Sequence, residues 1–323
     1  MHSNRQLTPM CTTDRSANRS DFLGGVEARK LRRSSLGTLT RLGALVMLAA
    51  ALLSGGCARG PGRMAPETRP PALVSKFSSV PPGSAYPAGW RELAFSRFRK
   101  PTRYAMVDDC GTTVVEASAE GGSSGLVEVL DVDPRKYPVL MWQWKVPEMI
   151  PGADNTRADA EDAPARVELS FAGNTKKIPI QDRVFFTLVK TLSGLDMPYA
   201  TLEYVWGNGA PRETVITNTW TSRIRMILVE SGRDRTGEWV REERNVNEDY
   251  RRAFGEEPGR ITAIAINTDS DATGEKVHAY YGDIAFLPEG SAGGELAALA
   301  SPPGDTRPTA HRPQSLGCPA QGK

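Results

Sequence analysis

Histidine and cysteine are scarce in this 323-residue chain, with three of the first and four of the second. Cys11, Cys57, Cys110 and Cys318 stand far apart, whereas a structural zinc site needs several Cys or His ligands at short intervals. His278 is the one histidine in the part that reads as folded, which leaves no room for paired-histidine acid–base work. Long apolar runs are lacking too. The longest, Leu42–Leu53, holds about 12 residues including Gly43, against the ~20 that a spanning helix requires. A surplus of one charge is also missing, since 40 Lys+Arg face 38 Asp+Glu for a net +2. Phosphate binding wants clustered positive charge, so no nucleic-acid partner is expected.

That near-neutral total averages unlike parts. Residues 1–56 carry 8 Lys/Arg against 3 Asp/Glu, and residues 57–323 carry 32 against 35. The basic part ends in the Leu42–Leu53 run, preceded by Arg32, Arg33 and Arg41, which is the layout of a secretory signal. The run closes on Leu53-Ser54-Gly55-Gly56-Cys57. This string resembles a bacterial lipoprotein cleavage box, with its leucine one place further from the cysteine than is usual. The resemblance implies that Cys57 is the lipid anchor and first residue of a mature chain. Ala58, rather than Asp, follows it, which by analogy implies an exported lipoprotein of the outer membrane, facing the periplasm.

Four regions follow: an N-terminal extension plus signal peptide (1–56), a Pro/Gly/Arg/Ser-rich flexible tether (57–88), a folded domain (89–287) and a Gly/Ala/Pro/Gln-rich disordered tail (288–323). Export permits a Cys110–Cys318 disulfide.

The folded domain reads as mainly β. Arg166-Val167-Glu168-Leu169-Ser170-Phe171 alternates strictly, as a half-buried strand does. Further strands are expected at 114–119, 126–130, 139–146, 184–189, 202–206, 223–229, 239–246, 261–267 and 277–286, separated by Gly, Pro, Asn and Asp clusters. One short helix is predicted over 248–254, with Asn247 able to cap its start and Gly255 able to take the left-handed position after its end. About ten strands and one helix predict an all-β fold, a two-layer β-sandwich or jelly roll.

Several strings in this domain resemble the bacterial domain-of-unknown-function family 3047. They are Trp142-Gln143-Trp144-Lys145-Val146, Asp162-Ala163-Pro164-Ala165-Arg166-Val167, the stretch from Asn245 to Gly255, the stretch from Ile264 to Gly274, and Tyr281-Gly282-Asp283-Ile284-Ala285-Phe286. The resemblance covers roughly residues 90–287. It implies a single exported domain and brings no assigned activity or catalytic residue. The end of the pattern is similar to carbohydrate-binding jelly rolls.

Candidate sites are few. Gly121-Gly122-Ser123-Ser124-Gly125 has the spacing of a hydrolase elbow, but that motif needs a helix after it. A strand follows here, so a hairpin turn is expected and no catalytic residue is assigned. Asp269, Asp271 and Thr273, with Gly274, resemble half of a calcium-binding loop and make Ca2+ a candidate cofactor. Tyr280 stands where an EF-hand has its bidentate Glu. Asp154, Asp159, Glu161 and Asp162 gather in an acidic loop. Trp142 and Trp144 share one face of their strand, as do Tyr204 and Trp206, and Trp220 lies on the next segment. Such aromatics either fill a core or stack on sugar rings. The leading expectation is a lipid-anchored cell-envelope module binding a glycan or envelope polymer through these aromatics. The alternatives are a structural envelope protein that binds another protein, and a carboxylate-based enzyme acting on envelope sugars.

Overall fold

The computed structural model describes residues 76–95 and 99–290. The expected signal, the Cys57 anchor, residues 57–75, the tail from residue 291, and Cys11 and Cys318 lie outside the described residues. The described chain folds as a two-layer β-sandwich. With strands numbered in chain order, one sheet holds β1 (Trp90–Leu93), β4 (Gly125–Val132), β6 (Ala165–Phe171), β7 (Ala200–Gly207), β8 (Val215–Thr217), β9 (Ile224–Ser231) and β11 (Ile261–Asn267). Their order in space is β1-β4-β11-β6-β7-β9-β8. The second sheet holds β2 (Arg103–Asp109), β3 (Thr112–Glu120), β5 (Val139–Lys145), β10 (Trp239–Asn245) and β12 (Lys276–Tyr281), ordered β10-β5-β12-β3-β2. A short β13 (Ala285–Leu287) also pairs with β5. The β7–β9 pair is parallel and the other strand pairs are antiparallel.

Alternation of side chains sets the layers. On β6 the residues Val167, Leu169 and Phe171 are wholly buried between the sheets, and Arg166, Glu168 and Ser170 point the other way. Leu202, Tyr204 and Trp206 on β7 and Trp142 and Trp144 on β5 meet in the same core. The Trp142 ring lies 5.1 Å from Tyr204 and 5.3 Å from Trp144, and Trp144 lies 5.9 Å from Trp206. Aromatic pairs at such spacing add to their burial.

The structure alters four expectations. The apolar run at 184–189 is helical, within α1 (Ile180–Ser193), so the sandwich carries two α-helices rather than one. Short apolar runs fit either type, and here Pro179 at the start and Gly194 in the left-handed conformation at the end bound a helix. The second helix, α2 (Val246–Phe254), starts two residues before the expected point. Asn245, not Asn247, caps it by accepting from the backbone N–H of Asn247 and Glu248. Asn247 instead donates to the Pro134 carbonyl at 2.7 Å. Gly255 ends the helix at φ 69°, as expected. An Asn245→Ala variant should lose about 1 kcal/mol of stability, the usual worth of a cap, measured by urea unfolding.

The third correction concerns Gly121–Gly125. It is not a hairpin turn, because β3 and β4 belong to different sheets. It carries the chain from one layer to the other, pinned by the Ser123 N–H to the Lys100 carbonyl and by reciprocal bonds between Ser124 and Thr102. The true hairpin joins β2 to β3 through Cys110-Gly111, both at positive φ, as a tight two-residue turn requires. Cys110 is disulfide-bonded. The fourth correction is the tether. Residues 76–88, assigned to it, include Phe77, which is fully buried 5.0 Å from the Trp90 ring, and Ser78, which donates to Asp283.

Candidate functional site

The expected aromatic platform is closed. Trp142, Trp144, Tyr204 and Trp206 are all 0% exposed, because their strand faces look into the sandwich, and no sugar ring can stack on them there. Trp220 is separated from these four and lies exposed on the loop after β8.

The outer face of the seven-stranded sheet carries the unusual chemistry. Arg166 is buried on it and uses its whole guanidinium. Nη1 donates to Glu161 and Glu203 at 2.9 Å each, and Nε and Nη2 donate to the two oxygens of Asp269 at 3.3 Å. Strand register builds the cluster, since Arg166 on β6 pairs with Asn267 on β11, and Glu168 pairs with Glu203 on β7. Two carboxylates directly opposite each other repel. Glu168 is partly relieved by the Asn267 amide, which donates to it at 3.0 Å, while the Asn267 Oδ1 is buried with no partner among the described residues.

Four carboxylates around one arginine cannot all ionise cheaply. Burial is the main influence on Glu203 and outweighs Arg166, and Glu168 and Glu161 add to it, so its carboxyl is raised to about 8. Burial likewise dominates over Arg166 at Asp269, which is pushed up to about 7, and it raises Glu168. For Arg166 itself burial works against the charge, but Asp269, Glu161 and Glu203 win and hold it protonated.

The calcium candidates come partly together. Carboxylate oxygens of Asp162, Asp269 and Asp271 lie within 4.8 Å of one another. Each is already engaged. Asp269 pairs with Arg166, Asp271 pairs with Arg99, and Asp162 accepts the backbone N–H of Ala272 and Thr273 at 3.0 and 2.7 Å. Thr273 thus enters through its backbone, and its hydroxyl accepts from the Glu275 N–H. With two arginines at the cluster, a cation would have to displace existing partners. Among the other acidic-loop residues, Asp154 binds Thr156 and Asp159 pairs with Arg157.

Sequence reasoning passed over Arg166, Glu168, Glu203 and Asn267. The signal was available: in each alternating strand a charged or amide side chain occupies the position opposite the core residues.

Residues 88–285 match the family described as "Protein of unknown function (DUF3047)", and the chain belongs to that family. The resemblance read from its strings is thereby borne out. No curated protein matches the chain. Among solved structures it is similar to the one titled "Structural analysis of an exo-beta-agarase", at 10% identity and a TM-score of 0.31, covering 68% of this chain and 25% of that one. The chain therefore spans about a quarter of that protein's length.

Proposed function

We propose that this protein is an exported, lipid-anchored envelope module that binds a hydroxyl-rich glycan on the outer face of its seven-stranded sheet. The observation that carries this reading is the excess of acceptors around Arg166. Glu168, Glu203, Asp269 and the unpartnered Asn267 Oδ1 cluster about one cation that is fully used. A ligand rich in donors complements such a set, because buried acceptors left unmade are costly, and sugar hydroxyls are donors. The disulfide at Cys110 suits an oxidising compartment, in keeping with the expected anchor at Cys57.

The test is isothermal titration of the purified chain with envelope polysaccharides, beside Glu203→Gln and Asn267→Ala. The expected result is binding of at least one glycan, weakened about tenfold or more by each change, as loss of a buried polar contact implies. No glycan binding, or binding unaffected by both substitutions, would sink the reading.

One observation favours a second reading, that of a carboxylate-based enzyme. Glu203 keeps its proton near neutral pH directly across from Glu168, and glycoside hydrolysis uses one protonated and one ionised carboxyl. New reducing ends that vanish in Glu203→Gln would support it over simple binding.

A further inference from the structure

The apolar side chains that the sandwich does not bury are gathered in one place. Of six exposed large hydrophobic residues among those described, four lie on α1: Ile180 and Val184 are each 64% exposed, Leu188 53% and Leu192 46%. A spacing of four residues puts them in one stripe along the helix. The fifth, Trp220, is 66% exposed. Its neighbours tie that loop to the first turn of the helix, because the buried Asp182 accepts from the Thr221 hydroxyl at 2.7 Å and from the Ser222 N–H and hydroxyl at 2.8 and 2.6 Å. The loop therefore brings Trp220 to the same end as Ile180. Three hydrogen bonds hold an apolar helix at the surface with its stripe outward, where water exposure of such a patch is unfavourable.

The charges around the stripe identify what covers it. Lys176 and Lys177 precede the helix and Arg183 lies on it, all exposed, and none has an ion-pair partner among the described residues. Lys190 pairs with Asp196 at 2.7 Å, and the remaining acid, Asp182, is buried in the loop contact. The patch is thus apolar in the middle and cationic beside it. Two copies of the chain meeting through it would bring their free cations together, whereas an anionic bilayer neutralises them. Fourteen residues are too few to span a membrane. A basic, Trp-bearing amphipathic helix of this kind lies in the plane of the headgroups.

We propose that α1 and Trp220 form a membrane-docking surface that seats the sandwich on anionic phospholipid. This docking is independent of the glycan reading, which concerns the outer face of the sheet. It also differs from lipidation at Cys57, since it orients the domain against the bilayer rather than tethering it.

The experiment uses the full chain with vesicles of phosphatidylglycerol and phosphatidylcholine, and with phosphatidylcholine alone, both carrying brominated acyl chains. Tryptophan emission should blue-shift and be quenched on the anionic vesicles, and Trp220→Phe should remove that component. Val184→Glu with Leu188→Glu should abolish the Trp220 quenching. Lys176→Gln, Lys177→Gln and Arg183→Gln together should weaken binding by about fivefold per charge removed. All of these positions are exposed, and unchanged melting curves would confirm folding. An N-terminal segment can hold the chain on vesicles by itself, but it cannot place Trp220 among bromines. Absence of Trp220 quenching on anionic vesicles overturns the proposal, as does quenching that survives the double Glu change. A concentration-dependent dimer in sedimentation that Leu188→Glu abolishes, with no Trp220 quenching, overturns it in favour of a second copy of the chain.

Discussion

Replacing Arg166 by Met should lower the melting temperature by about 10 °C at pH 8, measured by differential scanning calorimetry. The side chain is of similar reach and apolar, so volume is nearly kept and the loss is one of charge. Arg166 is buried among Asp269, Glu161 and Glu203, with Glu168 two residues along the strand. Removing one partner of a buried ionic cluster costs about 3–5 kcal/mol, because the others keep their desolvation and lose their attraction. For a domain of this size 1 kcal/mol is worth roughly 2–4 °C. The carboxylates have an escape, which is to protonate. The deficit should therefore shrink at pH 5, where protonation is easier, and a purely steric defect would not shrink. A second control is the pair Arg166→Met with Glu203→Gln. Taking one buried acid from the orphaned cluster should recover part of the loss, and coupling of less than about 0.5 kcal/mol in that cycle would show that Arg166 acts through packing alone.

The sandwich is legible in strands such as Arg166–Phe171, which alternates and whose odd members fill the core, but the sequence reading passes over β2, although Tyr104 and Met106 alternate on its buried face. The short β8 and the edge strand β1 left no such mark, because edge strands are brief and half solvated. Helix α1 was hidden by its own composition: Val184-Phe185-Phe186-Thr187-Leu188-Val189 is β-rich by residue type, and only the wider spacing Ile180, Val184, Leu188 and Leu192 reveals the helical period. The aromatic pairs were placed on the right faces, but a single strand cannot say which face looks inward. That depends on pairing with the other layer, and there Trp142 meets Tyr204. The same limit hid the Arg166 cluster. Asp269 lies 103 positions from Arg166, and only the β6–β11 register joins them. Asp269 and Asp271 stand out in the sequence as half of a calcium loop, and the structure sets their carboxylates within 4.8 Å of Asp162 and of each other while pairing each with an arginine.

Stability of the domain should be greatest in mildly acidic solution and should fall as the pH is raised from about 5 to about 8. Three buried acids set this window, one of them Asp269, raised to about 7 from an ordinary 3.8. Glu203 is raised to about 8 and Glu242 to about 7, from an ordinary 4.5. Glu242 faces Glu230, Arg212 and Arg235 at the edge of the core. Both arginines pair with Glu230, at 3.5 and 2.9 Å, and the Glu242 Oε1 has no partner among the described residues. Burial first, and Glu230 second, therefore outweigh the arginines. An acid whose folded value is raised stays neutral in the folded state while the unfolded chain ionises. Its contribution is complete below 4.5, or 3.8 for Asp269, and is lost as the pH climbs through 7 for Glu242 and Asp269 and 8 for Glu203. Glutamine keeps the shape and cannot ionise. Glu242→Gln should thus leave the melting temperature at pH 5 within a few degrees of the parent, and raise it at pH 8 by roughly 10 °C, taking about 1.4 kcal/mol per unit of displacement and 2–4 °C per kcal/mol. A variant that is equally stabilised or equally destabilised at both pH values would mean that Glu242 ionises normally in the fold. A carbon-detected titration of the Glu242 carboxyl, with a midpoint near 4.5, would say the same. Carboxylates held low by arginine partners, such as Glu213 beside Arg244 and Arg252, act in the opposite sense, and they close the window on its acid side below about pH 4.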